Sequence, residues 1–197
     1  AAEFMREVEP GELVRIDPQG MRARRALPAG DPPRHCIFEH IYFSRPDSRV
    51  FGETVDRVRR RIGQRLAEEH AVEADVVIAV PDSSNSIALG YSERSGIRFE
   101  LGLIRNHYVG RTFIQPHQGD RDSSVRVKFN PVREILVGMR IVLVDDSIVR
   151  GTTSRKLVRM LRRNGAAAVH FRVGSPPVTH PCFYGIDTPS RRELIGA

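Results

Sequence analysis

Short unbroken apolar runs, each closed by a polar turn, are the clearest signals along this chain. Val76–Val80 reads Val-Val-Ile-Ala-Val and ends at Pro81-Asp82-Ser83-Ser84. Ile141–Val144 ends at Asp145-Asp146, and Val169–Val173 forms a third run. Runs this short and this apolar predict strands buried on both faces. Helical patterns lie between and before them. Val50–Glu69 places Phe51, Val55, Val58, Ile62 and Leu66 on one face at three- and four-residue steps, with Ser48 as its N-cap. Ser86–Ser95 is stopped by Gly96, and Arg155–Arg163 is stopped near Asn164-Gly165. Alternating strands and helices predict an α/β fold, a central, mostly parallel sheet with helices on both faces. Ligands of such sheets sit beyond the carboxyl ends of the strands. The turns Asp82–Ser84 and Asp145–Thr153 both fall at that edge.

Two stretches depart from this pattern. Residues 1–35 carry turns at Pro10-Gly11 and Pro18-Gln19-Gly20, then a Pro- and Gly-rich stretch from Leu27 to Pro33. They read as a hairpin and a linker, separate from a domain spanning 36–197. Arg105–Phe129 is polar, basic and without clear period, with Gly110 and Gly119 inside it. A long irregular segment within a compact domain reads as a lid or a disordered loop.

Composition narrows the picture. The chain has 197 residues, 40% of them apolar and 28% charged, which suits one globular α/β domain with a small appendage. The net charge is +7 and the sequence pI about 10.2. A nucleic-acid binder would gather that charge on one face with interleaved aromatics, but aromatics make up only 7% and there is no Trp, so no nucleic-acid partner is expected. Arg57, Arg59, Arg60, Arg61 and Arg65 read as the solvated face of one helix. The two cysteines, Cys36 and Cys182, are too few for a disulfide framework and point to a reducing, cytoplasmic setting. No apolar run approaches the roughly 20 residues of a membrane span, and no signal-peptide pattern is visible.

The candidate chemistry lies in Val142–Ser154, Val-Leu-Val-Asp-Asp-Ser-Ile-Val-Arg-Gly-Thr-Thr-Ser. A strand delivers two adjacent carboxylates, Asp145 and Asp146, to the sheet edge. Such a pair needs a partner, either Mg²⁺ or the hydroxyls of a ribose, which donate hydrogen bonds. Gly151, Thr152, Thr153 and Ser154 then open a helix, and free N–H groups, hydroxyls and the helix dipole make an anion site. One turn thus offers carboxylates for a diol or a metal and a cradle for a phosphate. No Gly-Lys-Ser/Thr follows, so this is not a nucleoside-triphosphate P-loop, and the Gly-x-Gly-x-x-Gly dinucleotide fingerprint is absent. His107, His117, His170 and His180 have no metal-ligand spacing.

The segment resembles the phosphoribosylpyrophosphate (PRPP) signature of type I phosphoribosyltransferases. Three further motifs, Cys36–Ser48, Asn106–Pro116 and Pro181–Asp187, together with Val144–Ser154, resemble the glutamine PRPP amidotransferase family, and the likeness runs from about residue 5 to the last residue. The resemblance implies a type I phosphoribosyltransferase fold and Mg²⁺-dependent displacement of pyrophosphate from PRPP by ammonia, giving 5-phosphoribosylamine for purine synthesis. It implies that Asp145 and Asp146 hold the ribose hydroxyls and, with Ser83, the Mg²⁺ site. It assigns the 5-phosphate to Arg150, Gly151, Thr152, Thr153 and Ser154, borders the pyrophosphate with Asp82, Ser83 and Ser84, and counts Ser147 among the PRPP-binding residues. Arg105, Tyr108 and Arg111 would belong to a lid, the arginines reaching pyrophosphate oxygens. Residues 1–35 would be the last hairpin and linker of a glutaminase domain whose catalytic cysteine is not in this chain, so activity here is expected to be ammonia-dependent at most. Cys36 and Cys182 match two of four ligands of an iron–sulfur cluster. A [4Fe–4S] cluster is therefore expected only in the full-length parent, together with feedback inhibition by purine nucleotides and a homo-oligomer. The rival expectation is a PRPP-sensing regulatory module of the same fold without catalysis, against which the lid and Cys36–Ser48 motifs count.

Overall fold

The computed structural model describes residues 3–28, 34–106, 128–186 and 190–197. The chain forms two compact units, Ala1–Ile37 and Phe38–Ala197. The first is the expected hairpin, β1 (Glu12–Asp17) against β2 (Gly20–Arg25), paired from Glu12↔Arg25 to Asp17↔Gly20. Every residue of β2 is exposed, so within this unit the ladder rather than a core holds the strands.

The second unit contains the α/β fold. After a short π-helical turn, Glu39–Phe43, a tight hairpin of β3 (Arg49–Val50) and β4 (Glu53–Thr54) leads into α1 (Val55–Glu69). The helix therefore starts at Val55 and not at Val50. Phe51 (φ 50°) and Gly52 (φ 81°) are left-handed and break the helical path. Ser48 still serves the helix start, but through its main-chain carbonyl, which accepts the Val55 N–H at 3.0 Å.

β5 (Val76–Ala79), β8 (Arg140–Asp145) and β9 (Ala168–Val173) form a parallel sheet in the order β5-β8-β9. Alternation along the central strand sorts the core. Ile141 and Leu143 face one side, with Leu157 and Leu161; Val142 and Val144 face the other, with Ile87, Ala88 and Tyr91. The first layer is covered by α4 (Thr152–Arg163) and the second by α1 and α2 (Asn85–Ser95). Helices thus lie on both faces, as the apolar runs require.

The buried stripe of α1 is Val55, Arg59, Gly63 and Ala67, with Ile62 and Leu66 on its flank, whereas Phe51 is 39% exposed. Glycine decides this. A Cβ on Gly63 would stand 1.9 Å from the Ile87 carbonyl oxygen, and one on Gly90 would stand 2.1 Å from that of Arg60. The two helices meet backbone to backbone.

The described ends of the basic stretch read from Arg105 belong to two short strands. β6 (Leu103–Arg105) pairs antiparallel with β7 (Phe129–Pro131), and the short helix α3 (Arg133–Leu136) follows. Tyr108, Arg111, His107, His117, Gly110 and Gly119 lie outside the described residues, as do Ala29–Pro33 and Asp187. Among the described residues no helix is long and apolar enough to cross a membrane.

Candidate functional site

The site is assembled by strand register. β5 and β8 pair in parallel with Ala79 opposite Val144, and the ladder runs on through Val80 N–H to the Val144 carbonyl at 2.9 Å. Their following turns therefore leave the sheet side by side. The Ser84 hydroxyl donates to Asp145 Oδ1 at 3.2 Å, joining the two polar turns. The exit of β9 secures the acidic pair from behind, with the Gly174 and Ser175 N–H groups donating to the carbonyls of Asp145 (2.9 Å) and Asp146 (2.8 Å).

Both carboxylates are drawn out of bulk solvent. Asp146 is only 5% exposed and accepts from the Ser147 hydroxyl at 2.6 Å. Burial, then the charge of Asp146, pushes the Asp145 carboxyl up to about 7, against the Asp146 N–H, the Ser84 hydroxyl and Lys128, which favour its charged form. Asp145 and Asp146, with Ser83 in the adjoining turn, offer oxygen donors alone, the chemistry that Mg²⁺ requires.

The anion end begins earlier than the periodicity indicates. α4 starts at Thr152, three residues before Arg155, because Gly151 (φ 69°) turns the chain at the N-cap. The Arg155 N–H and the Ser154 hydroxyl both return to the Gly151 carbonyl, at 3.1 and 3.0 Å. The first-turn N–H groups of Thr152, Thr153 and Ser154 are thereby presented at a helix start that carries no acidic residue in its first turn. Arg150 is turned to Glu193, its Nε and Nη2 both 2.5 Å from Oε2. On the other side, Arg105 Nη1 donates to Asp82 Oδ2 at 2.6 Å, which puts the last residue of β6 beside the turn after β5. The Pro81–Asp82 peptide in that turn is cis.

Arg59 corrects the reading of the α1 arginines as a solvated face. It is 1% exposed, and its guanidinium donates to the carbonyls of His40 at 2.7 Å and Ser44 at 2.9 Å. Burial pulls its pKa down while Asp146 and Asp56 hold it up, so its charge is within electrostatic reach of Asp146. Its place between Val55 and Gly63 at four-residue steps was the signal available in the sequence. Arg57, Arg61 and Arg65 are exposed, and Arg60 pairs with Asp56 and Glu93.

Cys182 Sγ accepts the Tyr184 N–H at 3.4 Å, and the Ile186, Tyr184 and Gly185 amides lower its pKa. Cys36 is exposed and belongs to the other unit. A cubane cluster takes four cysteine thiolates, and these 197 residues hold two, so they do not by themselves fit one.

An acidic pair and a glycine-capped helix at the carboxyl edge of a parallel sheet define the chain as a type I phosphoribosyltransferase in fold. No family model matches the chain. It is 55% identical over 196 residues to the amidophosphoribosyltransferase of Bacillus subtilis, covering 100% of this chain and 41% of the relative. It is 56% identical over 194 residues to amidophosphoribosyltransferase 1, chloroplastic, of Arabidopsis thaliana, covering 98% and 34%. Among solved structures, one described as the allosteric regulatory enzyme of purine biosynthesis superposes with a TM-score of 0.83 at 56% identity, over 97% of this chain and 41% of that one. The glutamine PRPP amidotransferase from B. subtilis, complexed with ADP and GMP, superposes with a TM-score of 0.81 at 55% identity, over 97% and 42%. Over its whole length the chain is similar to amidophosphoribosyltransferases, spanning about two-fifths of the length of the relatives it matches.

Proposed function

We propose that this chain is the phosphoribosyltransferase part of an amidophosphoribosyltransferase, which replaces the pyrophosphate of PRPP with ammonia. The observation that carries this is the Asp145–Asp146 pair, tied to the Asp82–Ser84 turn through Ser84 and followed at once by the Gly151-capped helix. In the reaction the C1–O bond to pyrophosphate breaks, the ammonia nitrogen bonds to C1, and a proton leaves the nitrogen, giving 5-phosphoribosylamine and pyrophosphate.

Each part of the site has work in that step. The N–H groups of Thr152–Ser154 bind the 5-phosphate, fixing one end of the substrate. Asp145 and Asp146 accept hydrogen bonds from the ribose hydroxyls and hold C1 toward the Asp82–Ser84 turn. Positive charge developing on the ribose is stabilised by the carboxylates beneath it. Arg105, from the end of β6, exchanges Asp82 for a pyrophosphate oxygen when substrate arrives. Ser83, Asp145 and Asp146 would hold Mg²⁺, which when bound supplies positive charge for the departing pyrophosphate. Tyr108 and Arg111 are assigned to a lid that keeps water out, since PRPP would otherwise be hydrolysed. Ammonia is a neutral nucleophile and needs no strong base.

The hairpin unit we read as the end of a glutaminase domain with its linker. The longer protein would then draw its ammonia from glutamine, bind purine nucleotides as inhibitors and form a homo-oligomer. The nucleotide assignment is supported by the ADP and GMP in the B. subtilis structure.

The test is pyrophosphate release from PRPP with Mg²⁺, comparing ammonium chloride, glutamine and no nitrogen donor. Release that depends on ammonium and is lost in Asp145→Asn/Asp146→Asn supports the proposal. Binding of Mg·PRPP without release under any donor supports the sensing module instead, and no binding overturns both.

A further inference from the structure

The loop between Asp146 and α4 is not supported by the sheet alone. A segment from the far end of the chain lies against it at three consecutive residues. The Ile195 N–H donates to the Val149 carbonyl at 2.9 Å. Glu193 Oε2 receives Nε and Nη2 of Arg150, both at 2.5 Å. The Ile195 side chain closes over Gly151, where a Cβ would stand 2.8 Å from its Cδ1. The segment is itself anchored. A 3₁₀ turn at Arg191–Glu193 is capped by the Ser190 side chain, and Leu194 is 5% exposed. Gly196 packs on Val178 and Pro177, where a Cβ would lie 3.1 Å from the Val178 carbonyl oxygen.

We propose that Ser190–Gly196 is a strap that sets the backbone of the phosphate loop, with Glu193 as its positioning residue. The inference rests on the proposed phosphoribosyltransferase function and adds to it a part the sequence motifs do not contain. Val149, Arg150 and Gly151 immediately precede the N–H groups of Thr152–Ser154, so their backbone angles decide where those donors point. Small displacements of such donors cost binding steeply, because each is directed. Glu193 also takes up the Arg150 guanidinium in a charge-assisted hydrogen bond from Nε, with Nη2 in the same ion pair. The cradle therefore works through main-chain donors, and the Arg150 side chain serves as the handle by which the strap grips the loop.

Among the described residues, the strap's contacts with the site fall on Val149–Gly151, at the phosphate end. Asp82–Ser84 and Arg105, on the pyrophosphate side, hang from β5 and β6. Calorimetry on the full chain with two probes separates a positioning role from general damage: ribose 5-phosphate for the strapped end, magnesium pyrophosphate for the other. Glu193→Gln is expected to weaken ribose 5-phosphate by about tenfold, the scale of one charge-assisted hydrogen bond, with pyrophosphate affinity within about twofold. Ile195→Ala should act in the same direction. Arg150→Met/Glu193→Gln should be no weaker than Arg150→Met, since the two side chains act as one unit. Unchanged ribose 5-phosphate affinity in both single variants overturns the strap, and so does equal weakening of both probes. A wild-type chain that binds pyrophosphate and ribose 5-phosphate but releases nothing from PRPP overturns the catalytic reading and leaves the strap standing. A wild-type chain that binds neither overturns both.

Discussion

Arg59 shows what a single residue can hide. An arginine within a run of helix arginines reads as solvated, yet this one is 1% exposed and holds the main chain of Glu39–Ser44 through the carbonyls of His40 and Ser44. Removing it leaves buried acceptors without a donor. Arg59→Met should therefore cost roughly 2–4 kcal/mol in urea unfolding, and Arg59→Lys less, because lysine keeps the charge but not the forked geometry. Its charge put Arg59 on the expected solvated face, although its four-residue spacing from Val55 and Gly63 follows the stripe that is buried, and charge is a poor guide where carbonyls await a cation. Asp75 offers the opposite case, a half-buried acid whose partner is an arginine on the neighbouring strand. Its hydrogen bonds with Arg140 lower its pKa from 3.8 to about 2. Since the folded-state pKa lies below the unfolded one, the pair contributes stability above pH 4 that is lost as pH falls toward 2. Asp75→Asn should flatten the fall of Tm with acidification across that window, and scanning calorimetry between pH 4 and 2 checks it.

Among the elements, α1 and α2 depend on close approach rather than on large apolar side chains. Gly63→Ala and Gly90→Ala each force a methyl into a main-chain oxygen of the other helix. Backbone cannot give way as a flexible side chain can, so each should destabilise by on the order of 2 kcal/mol or more in denaturant titrations. Gly96→Ala is the control: its added Cβ meets nothing within 4 Å, and only the left-handed φ of 74° opposes it. It should cost about 1 kcal/mol. The strands were legible in the sequence because a buried parallel strand must be apolar throughout. Helix starts were less so. Phe51 and Gly52 break α1 inside an apparently periodic stretch, and α4 begins at Thr152 because Gly151 allows a turn that periodicity cannot register.

Across the described residues, many arginines are held in ion pairs. Arg45 pairs with Asp47, Arg65 with Glu68 and Glu69, Arg94 with Glu68, and Arg140 with Glu73 and Asp75. The net charge of +7 therefore does not make a basic face of these residues. Fluorescence anisotropy with random duplex DNA should show no saturable binding at physiological salt, and saturable binding with a steep salt slope would revive a nucleic-acid role. The sequence by itself determined the class of fold and the location of the site, because unbroken apolar runs force a parallel sheet and place their polar turns at one edge. It also determined the chemistry on offer, since adjacent carboxylates before a Gly-Thr-Thr-Ser turn bring a metal- or diol-binding pair and an anion cradle onto one loop. Only the tertiary structure decided which partners complete that loop. Ser84 meets Asp145 across 61 residues and Arg150 meets Glu193 across 43, and the buried charge of Arg59, on α1, acts on Asp146. Contacts at such separations leave no local pattern in the chain; they exist because strand register and helix packing bring distant polar groups within reach of one another.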